Sequence, residues 1–200
     1  MRTIQELSVV SRPLSVIIPT LNAADTLAEP LSALRTTPIV REVIVVDGGS
    51  SDGTVALAEA GGAHVISTAR GRGTQLAAGA RAASGEWLLF LHADSRLAPG
   101  WEDRVSAFLT SSEARSRAGY FHFELDDPSP AARRLARIVA WRCRSLALPY
   151  GDQGLLIARG LYDAVGGFAP LPLMEDVDIA RRLGRRRLAC IGAGCIASAR

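Results

Sequence analysis

The chain has 200 residues, 48% of them hydrophobic and 22% charged, the make-up of a single globular domain with no disordered signature. Its 23 basic and 20 acidic residues leave a net charge of +3, far from the dense basic stripe of a dedicated nucleic-acid binder. All 23 bases are arginines, which excludes a phosphate-loop lysine, a Schiff-base lysine and a lysine general base, and leaves guanidinium forks suited to phosphate or carboxylate partners.

Residues Met1 to Arg12 carry charges and lack an apolar core segment, so they do not read as a signal peptide. From Leu14 onward the chain alternates between two kinds of segment. Leu14–Ile18, Val43–Val46, His64–Ser67 and Trp87–Leu91 are short apolar runs rich in β-branched or aromatic residues, which predicts strands buried on both faces. Between them, Ala23–Leu34, Thr54–Ala60 and Thr74–Ala83 are alanine-rich with helical spacing. Strand and helix in alternation predict a parallel sheet joined by right-handed crossovers.

Beyond Pro99–Thr110, a further helical segment, the pattern changes. Gly119–Leu125 alternates apolar and polar residues, as a half-exposed and antiparallel strand would. Ser129–Leu148 predicts a helix in which five arginines interleave with leucine, isoleucine, valine and tryptophan. Its apolar face suits either the core or, with its arginines, an anionic lipid surface. Gly151–Arg159 holds a short strand, Glu175–Leu183 a helix and Leu188–Ala197 a last apolar stretch. Cys143, Cys190 and Cys195 form no C-x-x-C pair, which predicts inert buried thiols in a reducing compartment and no structural zinc. No apolar run approaches the roughly 20 residues of a membrane span, so the expected location is the cytoplasm, including the inner face of its membrane.

In an open parallel sheet, ligands bind beyond the carboxyl ends of the strands. The residues found there are Thr20 and Asn22, then Asp47, then Arg70 and Arg72, then His92 and Asp94. Asp47 opens the run Asp47-Gly48-Gly49-Ser50, where glycines let a ligand approach the backbone, whereas Asp52 reads as a helix cap. Asp94 is placed to hold a hard divalent cation; its alternative is a cap for the helix at Pro99–Thr110. Arg72 and Arg70 are either diphosphate contacts or solvated loop arginines. Asp152, in Tyr150-Gly151-Asp152-Gln153, and Glu175 are further substrate-contact candidates. Asp176 opens a helix, where an acid either complements the dipole or serves as a general base.

Taken together, Val16-Ile17-Ile18-Pro19-Thr20-Leu21-Asn22, Val45-Val46-Asp47-Gly48-Gly49-Ser50-Ser51-Asp52-Gly53-Thr54, Gly85-Glu86-Trp87-Leu88-Leu89-Phe90-Leu91-His92-Ala93-Asp94 and Glu175-Asp176 resemble a family 2 glycosyltransferase. The His-Ala-Asp and Gly-Asp-Gln segments are similar to a small bacterial subgroup linked to arsenosugar biosynthesis. The resemblance implies a GT-A fold: a mostly parallel, Rossmann-like sheet flanked by helices, with an antiparallel acceptor-side extension. It implies one domain over 1–200, with a nucleotide-sugar half at about 14–95 and an acceptor half at about 96–200. The implied activity is metal-dependent, inverting hexosyl transfer from a nucleotide-diphosphate sugar to an acceptor hydroxyl. Under it Thr20 and Asp47 contact the nucleoside, Asp94 holds Mg2+ or Mn2+, and Asp176 is the general base.

Three departures from the family pattern favour an alternative, a catalytically inactive nucleotide-sugar-binding relative or partner subunit. His92 stands where the first acid of the D-x-D motif is expected. Ala77 replaces an asparagine, and the chain ends at Arg200 where relatives continue into a helical tail. Other enzyme classes fit less well. A haloacid-dehalogenase phosphatase needs an acid where Ser50 stands, and a dinucleotide oxidoreductase needs a glycine fingerprint where Pro19-Thr20-Leu21-Asn22 stands. A nucleotidyltransferase usually carries a glycine-rich loop with a basic residue after the first strand.

Overall fold

The computed structural model describes residues 13–171 and 173–198, so the Met1–Arg12 reading lies outside the described residues. In chain order the elements are β1 (Leu14–Thr20), α1 (Ala24–Arg35), β2 (Val40–Asp47), α2 (Thr54–Ala60), β3 (His64–Ser67), α3 (Arg72–Ala82) and β4 (Trp87–Phe90). They continue with β5 (Ser95–Leu97), α4 (Trp101–Thr110), β6 (Ala118–Leu125), α5 (Pro130–Leu146), β7 (Leu155–Ala158), α6 (Arg159–Ala164), α7 (Glu175–Leu183) and β8 (Leu188–Ala197).

Among the described residues, eight strands join one sheet in the order β3-β2-β1-β4-β7-β6-β8-β5. The first four pair in parallel, as their crossover helices require. From β4 outward the sheet becomes mixed: β7 is antiparallel to β4 and β6, and β5 to β8. β1 lies inside the sheet between β2 and β4 and every one of its residues is buried, which explains its apolar residues Leu14, Val16, Ile17 and Ile18. Helix α3 lies so close on this strand that a side chain at Gly79 would put its Cβ 2.3 Å from the Ile17 Cγ2. Arg159 ties the far end of α3 in place. Its guanidinium donates to the carbonyls of Ala80, Ala83 and Gly85 at 2.5–3.1 Å.

Three expectations need correction. β3 is not buried on both faces: it is the sheet edge, with His64 and Ser67 exposed, because no strand follows it outward. β6 alternates as expected, but it runs parallel to β8 along its length and meets antiparallel β7 only at Gly119 and Leu156. Cys143 and Cys195 are buried, the latter thiol pushed up to about 12 chiefly by burial, whereas Cys190 is exposed on β8.

Candidate functional site

Sheet order turns at β1. The chain moves outward through β2 and β3, then returns to place β4 on the other side of β1, which is the switch point where a crevice opens in doubly wound sheets. A cleft of about 430 Å3 occupies that point. Its walls are Pro19–Ala23 at the end of β1 and just beyond, Arg70–Arg72 and Gln75 leading into α3, and His92–Asp94 after β4. Gln75 is buried and donates from Nε2 to the carbonyls of both Thr20 and Val46 at 2.8 Å, clamping the two strand ends.

Asp47 lies behind Thr20 and is 3% exposed. Its Oδ1 accepts from the Thr20 hydroxyl at 3.2 Å and the Ser50 hydroxyl at 2.5 Å, and its Oδ2 from the Gly49 and Ser50 amides. Burial alone would raise its pKa. The hydrogen bonds from Ser50, Gly49 and Thr20 outweigh it and hold the carboxyl below its usual range. Asp47 therefore shapes the cleft wall from behind. Asn22 takes the left-handed conformation (φ 52°) that asparagine tolerates, and its Oδ1 accepts from the Ser51 amide, fastening the 48–53 loop to the cleft rim. Asp52 is a cap as expected, accepting from the Thr54 amide at the start of α2 and the Ala24 amide at the start of α1. Asp94 is exposed in the cleft and caps nothing: the following residues form β5, and α4 begins only at Trp101.

His92 borders a second, inner cavity of about 30 Å3, shared with Phe90, Tyr150, Gly151, Phe168, Glu175 and Asp176. Asp176 sits in the first turn of α7, which Met174 enters through a left-handed residue (φ 64°). Its Oδ2 accepts from the Gly151 amide at 2.8 Å and its Oδ1 from the Val177 amide at 2.7 Å, so the carboxylate is fixed toward His92 and the 150–153 turn. A Cβ at Gly151 would lie 2.5 Å from the His92 Nε2; glycine is what admits the imidazole. Glu175, 1% exposed, forms an ion pair with Arg72 across 103 residues, and its Oε2 has no protein partner. The Asp152 Oδ1 is likewise buried and unpartnered. Burial pushes the Asp152 carboxyl up against the opposing pull of Arg142 and His92. Burial, then Arg72, lower the His92 pKa against the opposing pull of Asp94, Asp152 and Asp176.

Thr20, Asn22, Arg72 and Asp94 thus line the cleft, and Glu175 and Asp176 line the cavity that meets it at His92. Asp152 is electrostatically coupled to both His92 and Asp176. Ala77 packs against the core and is not on the cleft wall. Sequence reading passed over Gln75 and the brace behind the 150–153 turn. In that brace the Gln153 side chain donates to the Phe121 carbonyl and accepts from Arg142, while the Arg142 guanidinium stacks 3.4 Å from the Tyr150 ring centroid. A polar residue amid the alanines of α3 was the available signal for Gln75.

Among the described residues no group of three His, Cys, Asp or Glu side chains forms a ready metal cage. Mg2+-like ions do not need one, because they take one or two carboxylates and complete their shell with water and phosphate oxygens. An exposed Asp94 in the cleft fits such an ion as its one carboxylate ligand.

A family model described as Glycosyl transferase family 2 matches residues 15–169. Over 51 residues the chain is 47% identical to Glycosyltransferase AglJ of Haloferax volcanii, a match covering 26% of this chain and 16% of AglJ. S. aureus TarS 1-349 in complex with UDP-GlcNAc superposes with a TM-score of 0.73 at 19% identity, over 94% of this chain and 58% of TarS. Glucosyl-3-phosphoglycerate synthase from Mycobacterium tuberculosis, in complex with Mn2+, UDP and glucosyl-3-phosphoglycerate, gives a TM-score of 0.64 at 24% identity, over 94% of this chain and 73% of that chain. These structures share the fold, the GT-A arrangement of a mixed sheet flanked by helices. The chain spans about a sixth of AglJ and little more than half of TarS 1-349.

Proposed function

The chain belongs to glycosyl transferase family 2, and on that premise we propose that it transfers a sugar from a nucleoside-diphosphate donor to an acceptor hydroxyl with inversion. The observation that carries this reading is the meeting of the cleft and the inner cavity at His92, with Asp94 on one side and Asp176 on the other. The donor occupies the cleft between β1 and β4. Thr20, backed by Asp47, and Asn22 form its nucleoside end, and Arg70 faces the diphosphate from the opposite wall. A divalent cation, Mg2+ or Mn2+, held by Asp94 would supply charge neutralisation to the departing diphosphate.

Asp176 takes the proton of the acceptor hydroxyl, whose oxygen forms the new bond to the anomeric carbon as the bond to the diphosphate breaks. Two backbone amides hold that carboxylate in one orientation, so little reorganisation is needed when the proton moves. Arg72 is already committed to Glu175, which assigns it to joining α3 with α7 and so the donor half with the acceptor half.

A panel of nucleoside-diphosphate sugars tested by calorimetry and turnover, with Mn2+ and with EDTA, examines this reading. Asp94→Ala should weaken metal-dependent donor binding, and Asp176→Asn should lower turnover while leaving donor affinity intact. Binding without turnover in the parent protein would favour the inactive-relative reading, which the histidine at position 92 supports.

A further inference from the structure

Helix α5 carries more apolar side chains than its contact with the core covers. Its inner stripe is Ala132, Val139 and Cys143, of which Val139 and Cys143 pack in one cluster with Phe123 and Ala197. Leu135, Ile138, Trp141 and Leu146 remain outside, 44%, 61%, 56% and 53% exposed. At 100° per residue they sweep an arc of about 140° beside the buried stripe, so the apolar surface of this helix is far wider than its contact with the sheet. Arg134 lies within that arc, Arg137 borders it about 40° away, and Arg133 and Arg144 lie further round on the helix's far side, all exposed. The helix contains no acidic residue. A second arginine run is docked at its end, where Arg185 donates to the carbonyls of Arg144 and Ser145 and presents Arg186 and Arg187 to solvent.

We propose that this face seats the protein on an anionic lipid bilayer, lying in the interface with its apolar side chains among the acyl chains and its arginines at the headgroups. Charge decides against a second copy as the occupant, since the same face brought against itself would oppose arginine to arginine. An anionic surface instead attracts each one, and long arginine stems reach upward while their helix sinks. Among the described residues no helix is long and apolar enough to cross a membrane. The inference stands apart from sugar transfer and needs no donor.

Tryptophan fluorescence tests it directly. Trp87 and Trp101 are 4% and 5% exposed, so a change on adding vesicles reports Trp141. Vesicles containing phosphatidylglycerol should blue-shift the emission and protect it from acrylamide, and should sediment the protein at least about tenfold more tightly than phosphatidylcholine alone. Arg133→Gln, Arg134→Gln and Arg137→Gln together should weaken sedimentation roughly a hundredfold. Trp141→Phe should abolish the optical change and keep sedimentation, and Ile138→Ser should weaken it. Equal binding to both vesicle types, or none to either, overturns the proposal. So does a Trp141 already shielded without lipid, whether in a dimer, where a second copy covers the face, or in a monomer, where the protein's own chain does.

Discussion

Replacing Arg72 by methionine keeps the stem of the side chain and removes its charge. The partner, Glu175, is 1% exposed and has one oxygen with no protein hydrogen bond, so the variant leaves a buried carboxylate without compensation. Removing one member of a buried pair costs about 3–5 kcal/mol. Arg72 is 35% exposed, which admits water to the pair and lowers the expected loss to about 2–4 kcal/mol. For a chain of this size that is a fall of roughly 4–16 °C in Tm, at about 2–4 °C for each kcal/mol. The measurement is urea unfolding of four proteins: the parent, Arg72→Met, Glu175→Gln and the double variant. If burial of an unpaired charge is the cause, the double variant recovers much of the loss, with a coupling energy above about 1 kcal/mol. A single-variant cost below about 1 kcal/mol, or strict additivity, would refute the argument that this pair joins the two halves of the molecule.

Arg159→Ala should cost about 2–3 kcal/mol by thermal unfolding, because three carbonyls at the end of α3 and beyond lose their charged donor; Arg159→Lys should recover only part, since an ammonium cannot span all three. Gly79→Ala should destabilise by about 1–3 kcal/mol, its Cβ falling 2.3 Å from Ile17 and 2.9 Å from Val46. Gly160→Ala, in α6 with nothing within 4 Å of the new Cβ, should be neutral or stabilising, and equal effects at the two sites would remove the close-approach explanation. For Asp47, and for Glu42, hydrogen-bonded by Ser15 and Ser84, the folded pKa lies below the unfolded one. Their stabilisation is therefore complete above the usual carboxyl range and is lost as pH falls below about 4. Asp47→Asn should flatten the fall of unfolding free energy between about pH 5 and 3, whereas an unchanged slope would mean those hydrogen bonds do not favour the ionised carboxylate.

Much of this molecule was legible along the chain. Solid apolar runs marked β1, β2 and β4, the helical spacing and end residues of α7 were read at their observed limits, and the acids following the strands pointed to one edge of the sheet. Those signals are local, arising from side-chain periodicity and capping within a few residues, and they survive whatever the neighbours are. Tertiary structure alone decided which element lies beside which. β5, three residues long, carries no pattern of its own and exists through pairing with β8. β3 reads like an inner strand, yet it forms the edge because the chain turned back after it. Asp47 is spent on Thr20, Ser50 and Gly49, and Arg72 on Glu175, because their charges meet partners that folding brings from elsewhere. A carboxylate's position in sequence states its chemistry; what it faces depends on contacts between distant residues, and these depend on topology.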